Sequence, residues 1–269
     1  MTSTSTSGVV ASVDGTPIAW TRQGNGPPIV MVAGVMASRA RPQQPALPGE
    51  LAKQHTVFTY DRRGTGESGT TEVYAVEREF EDMNCLIGMA GPDVSVYGFS
   101  SGATLALLNA AHGAPISRLL LLEPPLVPDP DLTSLQEAHR RLEVDRADAR
   151  RWFDVEVTGI PAEIRAQFPP LTSADLANTP TMLHELTFLP GTTATKFASL
   201  RVPALLMASD HTAPMLLNAV HDLGTAIPDA TVRIMPGHWH GVADTAIVDA
   251  INEFLDRSTH TQTGIKDSQ

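Results

Sequence analysis

The chain has 269 residues, and its 19 basic and 30 acidic side chains give a formal net charge of −11, which disfavours nucleic acid and anionic membrane surfaces as partners. An aromatic content of 5% offers no platform for stacking bases, while 42% hydrophobic residues suffice for the core of one large α/β domain. No apolar run reaches the length of a membrane span, and the single cysteine, Cys85, excludes an internal disulfide and suits a reducing compartment such as the cytoplasm.

The opening MTSTSTSG lacks the basic end and apolar middle of a signal peptide, so residues 1–8 read as a flexible leader. Residues 9–13 and 16–21 are short strands joined by the turn signal Asp14-Gly15. Residues 29–33 (IVMVA) form a buried type of strand that ends at Gly34. A loop over 35–49 and the end of a short helix at 51–54 lead to the next strand, 56–60 (TVFTY). That strand runs into the glycine-rich loop DRRGTGES, from Asp61 to Ser68. Val76, Phe80, Met83 and Ile87 recur at helical spacing and predict an amphipathic helix over 76–90. Glu77, Glu79 and Glu81 then face away from the core, Cys85 fills space on the apolar side, and Gly91-Pro92 ends the helix.

The next stretch carries the chemistry. A buried strand over 94–97 and a helix over 103–111 flank Gly98-Phe99-Ser100-Ser101-Gly102, a G-x-S-x-G. In a strand–turn–helix context the tight turn strains the central serine and lifts its hydroxyl clear of the sheet. The following N–H, that of Ser101, sits at the helix N-terminus, where it can hold an oxyanion. Ser101 is the competing serine, but it lacks the symmetric glycine bracket, which leaves Ser100 as the candidate nucleophile.

A strand at 118–122 ends in Glu123-Pro124-Pro125. From 126 to 198 the strand–helix alternation gives way to arginines, acids and prolines, with a charged amphipathic helix expected over 135–153 and shorter pieces near 163–168 and 174–189. This segment reads as an inserted helical cap between two parts of one core, 9–125 and 199–257. Alternation resumes with strands at 203–208 and 231–235 and helices at 215–226 and 242–257, before a polar tail at 258–269 expected to fray. Alternating strands and helices imply a parallel sheet with right-handed crossovers.

These residues resemble the α/β-hydrolase superfamily, and 61–111 is similar to a bacterial serine hydrolase subgroup of uncharacterised substrate. The likeness rests on Gly34 after the third strand, DRRGTGES after the fourth, GFSSG after the fifth and Pro236-Gly237-His238-Trp239-His240 before the last helix. It implies a mostly parallel eight-stranded sheet flanked by helices. It also implies a triad in the order serine, acid, histidine. His240 fits the spacing to the last helix better; His238, in a Gly-His pair, is the alternative. Asp210, with Pro214 four residues on, resembles the family's acid loop, and Glu123 is the rival acid. The second oxyanion donor falls to the N–H of Val35. Here the chain departs from the family, because the usual His-Gly is Ala33-Gly34. The DRRGTGES loop is given a structural role.

The implied function is cofactor-free hydrolysis of an ester, lactone or thioester of a small organic molecule through an acyl-enzyme on Ser100. C–C cleavage, acyl transfer or cyclisation at the same site is one alternative, and a non-catalytic ligand receptor on the same fold is another. No metal-ligand spacing, G-x-G-x-x-G or P-loop occurs. Substrate identity and oligomeric state stay open.

Overall fold

A computed structural model describes residues 5–263 of the chain. Strands β1 (Thr6–Ala11), β2 (Pro17–Gln23), β3 (Pro28–Val32) and β4 (Thr56–Tyr60) are followed by β5 (Ser95–Phe99), β6 (Arg118–Leu122), β7 (Ala204–Ser209) and β8 (Ala230–Met235). They form one sheet in the order β1-β2-β4-β3-β5-β6-β7-β8. β1 and β2 run antiparallel at one edge, and the strands from β4 to β8 are parallel.

The two-residue period of the strands divides the core. Val30, Val32, Val96, Leu119, Leu121 and Leu206 pack on one face, against α2 (Val76–Ala90), α3 (Ser101–Ala111) and α9 (Pro214–Ala226). Their neighbours Ile29, Met31, Tyr97, Leu120, Leu122 and Leu205 pack on the other, against α1 (Leu47–Leu51) and α10 (Asp244–Thr263). Burial on both faces is why these strands read as unbroken apolar runs. Among the described residues no helix is long and apolar enough to cross a membrane.

Between β6 and β7 the chain is helical: α4 (Thr133–Val144), α5 (Arg146–Trp152), α6 (Ala162–Arg165), α7 (Ser173–Asn178) and α8 (Met182–Phe188). The helix expected over 135–153 is two helices. Asp145 is extended between them, and its carboxylate accepts the Ala147 N–H at 2.8 Å, capping α5. α5 then runs into one turn of wide π-helix, Phe153–Val157. These helices carry a small core of their own, including Met36, Ala138, Ala149 and Phe153. Asn178 ties them to the loops after β3 and β4, donating to Met36 O at 3.2 Å and accepting from Gly66 N at 3.1 Å.

Other boundaries also differ. β1 begins at Thr6, inside the stretch read as leader, because residues 6–11 pair in register with β2. The last helix starts at Asp244 and continues to Thr263, past the expected end at 257. Residues 1–4 and 264–269 of the expected tails lie outside the described residues.

Glu79 does not face away from the core. It is 1% exposed, as is Asp82 at 0%, because the loop after β4 sends two arginines beneath α2. Arg62 forks onto Glu79 at 2.7 and 2.6 Å, and Arg63 onto Asp82 at 2.7 and 2.7 Å. Burial alone would raise the Glu79 carboxyl, but Arg62 holds it below the usual range. Removing one partner of such a buried pair strands the other charge, at about 3–5 kcal/mol. Arg63→Ala is expected to lose stability of that order, read as a lower urea midpoint.

Candidate active site

The glycines around Ser100 are demanded by close backbone approach. A Cβ on Gly98 would stand 2.4 Å from the Cα of Ala103, and one on Gly102 would stand 2.4 Å from Ala33 O and 2.5 Å from Val32 O. The turn between β5 and α3 therefore closes with its helix hard against the sheet. Ser100 absorbs the strain, at φ 54° and ψ −128°. Its N–H donates to Leu122 O at 2.9 Å, which docks the turn on the neighbouring strand β6.

Ser100 Oγ lies 3.1 Å from Nε2 of His240. Nδ1 of His240 hydrogen-bonds Oε2 of Glu123. Glu123, just past β6, also has a left-handed backbone (φ 50°) and is 0% exposed. Its other partners are the Ser209 N–H, which donates to Oε1 at 2.8 Å, and the Thr212 hydroxyl, which donates to Oε2 at 2.9 Å. With the carboxylate so occupied, Nδ1 of the imidazole is held as the donor, and Nε2 faces the serine as an acceptor.

His240 sits at the tip of a small ribbon in which Gly237–His238 pairs with Gly241–Val242. Its φ of 50° turns the ring under the elbow, where Phe99 lies at 5.0 Å and Trp239 at 4.6 Å between ring centroids. His238, two residues earlier on the ribbon, is exposed.

The residue placed against the imidazole of His240 is Glu123 and not the expected Asp210. That carboxylate, 41% exposed, accepts from Nδ1 of His211 at 2.7 Å and from the Gly237 N–H at 3.0 Å. The hydrogen bond from His211 keeps its pKa below the usual range. Asp210 thus anchors the base of the histidine ribbon through its backbone, and the imidazole of His240 meets Glu123.

The Ser101 N–H is the first of α3 and has no acceptor within the helix. Opposite it lies Val35, whose orientation depends on a residue the sequence reading passed over. Gln43 Oε1 accepts from Gly34 N at 3.0 Å, while its Nε2 donates to Val35 O at 3.2 Å. This amide bonds the groups on either side of the Gly34–Val35 peptide, in the place where Ala33 supplies no polar side chain. No local spacing could have revealed it.

A second unanticipated group lies beside the elbow. Ser101 Oγ donates to Glu185 Oε1 of α8 at 3.1 Å, and Arg62 Nη1 reaches the same oxygen at 2.6 Å. Burial raises the Glu185 carboxyl despite Arg62 beside it. His184 next to it is stacked on Tyr74 at 4.0 Å and pushed down to about 4 by burial. Ser101 and Glu185 line the same cavity as Ser100 and His240, so this charged cluster borders the elbow.

Ser100 stands where two cavities join. One, of about 690 Å³, extends past Trp239 towards α5 and α6; the other, of about 290 Å³, runs between Pro125, Leu135 and Leu186. Val35, Ser100, Thr158 and His240 line both.

The profile of the alpha/beta hydrolase family matches residues 29–250. The chain is 30% identical to "Putative carbamate hydrolase RutD" of Azorhizobium caulinodans over 270 residues, which cover 86% of this chain and 91% of that protein. The solved structure of an alpha/beta hydrolase from Sphaerobacter thermophilus is 36% identical, with a TM-score of 0.81, and covers 92% of this chain and 100% of its own. A thermophilic esterase from Thermogutta terrifontis shares the fold at 19% identity, with a TM-score of 0.77, over 94% of this chain and 98% of its own.

Proposed function

The chain belongs to the alpha/beta hydrolase family, and within it we propose a cofactor-free serine hydrolase that cleaves an ester, lactone, thioester or carbamate of a small organic molecule. The observation that carries this reading is the unbroken relay from Ser100 through His240 to Glu123. Ser100 Oγ attacks the carbonyl carbon while Nε2 of His240 takes its proton. Glu123 stabilises the imidazolium through Nδ1–H and stays ionised. The Val35 and Ser101 N–H groups hold the oxyanion. Collapse expels the leaving group, which takes the proton from His240, and leaves an acyl group on Ser100. Water, deprotonated by His240, then frees the acid and restores the serine.

Two things support this choice of bond. The relay activates a hydroxyl towards a carbonyl carbon, and relatives named carbamate hydrolase and esterase act on carbonyls that carry a heteroatom leaving group. A reducing compartment such as the cytoplasm suits a chain with one cysteine.

Assay of p-nitrophenyl esters, lactones and carbamates tests the reading. Turnover of one class, lost by about 10⁴-fold or more in His240→Ala and changed at most about threefold in His238→Ala, is the expected result. Full activity in His240→Ala overturns the relay. No turnover or acylation with any class overturns the hydrolase reading.

A further inference from the structure

The larger cavity arm is charged in a way that hydrolysis of a neutral ester does not require. Asp154, on the wide turn after α5, is 3% exposed, yet it serves two guanidinium groups at once. Arg150 Nε reaches its Oδ1 at 2.8 Å, and Arg165 Nε, at the end of α6, lies 3.2 Å from its Oδ2. Across the arm, Arg41 is spent on Asp175, with contacts of 3.2 and 3.0 Å to its two oxygens. Arg41 and Asp175 cancel, whereas Arg150, Arg165 and Asp154 leave a formal charge of +1 inside a chain whose net charge is −11.

We propose that this arm binds a carboxylate, so that the substrate carries an anionic group in addition to its scissile carbonyl, held by Arg150 and Arg165. The inference deepens the hydrolase reading and rests on Ser100 being the reacting group.

Arg150 hydrogen-bonds Asp154 through Nε, Arg165 makes an ion pair with it through Nε, and the terminal nitrogens of both take no partner among the described residues. A guanidinium anchored by Nε presents its remaining fork to a planar carboxylate. Both side chains line the cavity that contains Ser100 and are only 19% and 23% exposed, so the excess charge is poorly screened. The Phe168 ring lies 5.7 Å under the Arg165 guanidinium and fixes its height. Ile160 and Ile164 make the wall apolar, which suits a short hydrocarbon spacer between the two polar ends. Arginines that merely coat a cap would extend into water. Here the buried Asp154 draws both towards the cavity. The wide helical turn that places Asp154 also places Thr158, which faces both arms, and such turns recur at functional sites.

Two matched pairs test this on either side of the scissile bond: mono-p-nitrophenyl glutarate against p-nitrophenyl valerate, and 4-acetoxybenzoate against phenyl acetate. In one pair the acid should be preferred by at least about tenfold in kcat/KM. Arg150→Gln and Arg165→Gln, made singly so that Asp154 keeps one guanidinium, should each remove most of that preference while neutral esters are cleaved as before. Hydrolysis of neutral esters with no preference for either acid overturns the carboxylate pocket and leaves the hydrolase reading standing. Glutarate titrated calorimetrically into Ser100→Ala protein reads the pocket without turnover. Binding that either arginine substitution weakens supports it, and no binding, or binding indifferent to both, overturns it. Bound glutarate in a protein that cleaves no ester counts against the hydrolase reading alone.

Discussion

Ser100→Ala is expected to abolish labelling by a fluorophosphonate probe and to lower kcat on any cleaved ester by about 10⁴–10⁶-fold. The loss is large because the hydroxyl is the bond-forming group of the proposed reaction, and the neighbouring Ser101 is not placed to replace it. Ser101 Oγ is buried and donates to Glu185 Oε1, whereas Nε2 of His240 is engaged by Ser100 Oγ. Ser101→Ala should therefore label at a rate within about tenfold of wild type, since only the hydrogen bond to Glu185 is lost. The φ of 54° at Ser100 is strained for any side chain, so alanine there relieves nothing and a thermal melt should stay close to wild type. Labelling that persists in Ser100→Ala, located by mass spectrometry on another residue, would remove the nucleophile from this account.

The fold was legible because its signals are local. The predominantly apolar stretches TVFTY at 56–60 and RLLLL at 118–122 coincide with β4 and β6, since strands buried on both faces admit few polar residues. The apolar stripe over 76–90 marks α2 end to end. The cap was harder. One extended residue, Asp145, breaks a charged stretch that periodicity alone carries through. Charge also misled at Glu79. Its burial is set by Arg62, 17 residues earlier on a loop whose path spacing does not encode. The bracket by Gln43 and the contact of Ser101 with Glu185 depend likewise on which loops meet in space.

The acid was ambiguous for a topological reason. β5, β6, β7 and β8 are consecutive neighbours in a parallel sheet, so Ser100, Glu123, Asp210 and the histidine ribbon all emerge at one edge. An acid after β6 or after β7 satisfies the chain order equally well. The two differ in how they meet the imidazole. The positive φ of His240 turns its ring down towards β6, where Glu123 is buried, while Asp210 is occupied at the ribbon's base.

That geometry separates two single-atom substitutions. Glu123→Gln should keep the fold. Its carbonyl can still accept from Ser209 N, and its NH₂ can turn to Thr212, whose hydroxyl accepts as readily as it donates. The same NH₂ then donates to Nδ1 of His240, which forces the proton onto Nε2, the nitrogen that must take the serine proton. The wrong tautomer should cost about 10⁴ in kcat with little change in KM. Asp210→Asn leaves the relay untouched and preserves an oxygen for the Gly237 N–H. Its kcat should stay within about threefold of wild type and its urea midpoint close to wild type, because the carboxylate is partly exposed and its partner His211 is 76% exposed. Steady-state kinetics and a urea melt on the two variants decide between the acids. A collapse of kcat in Asp210→Asn with near-normal turnover in Glu123→Gln would move the acid to the turn after β7. It would also mean that the ring of His240 swings away from Glu123 when substrate binds.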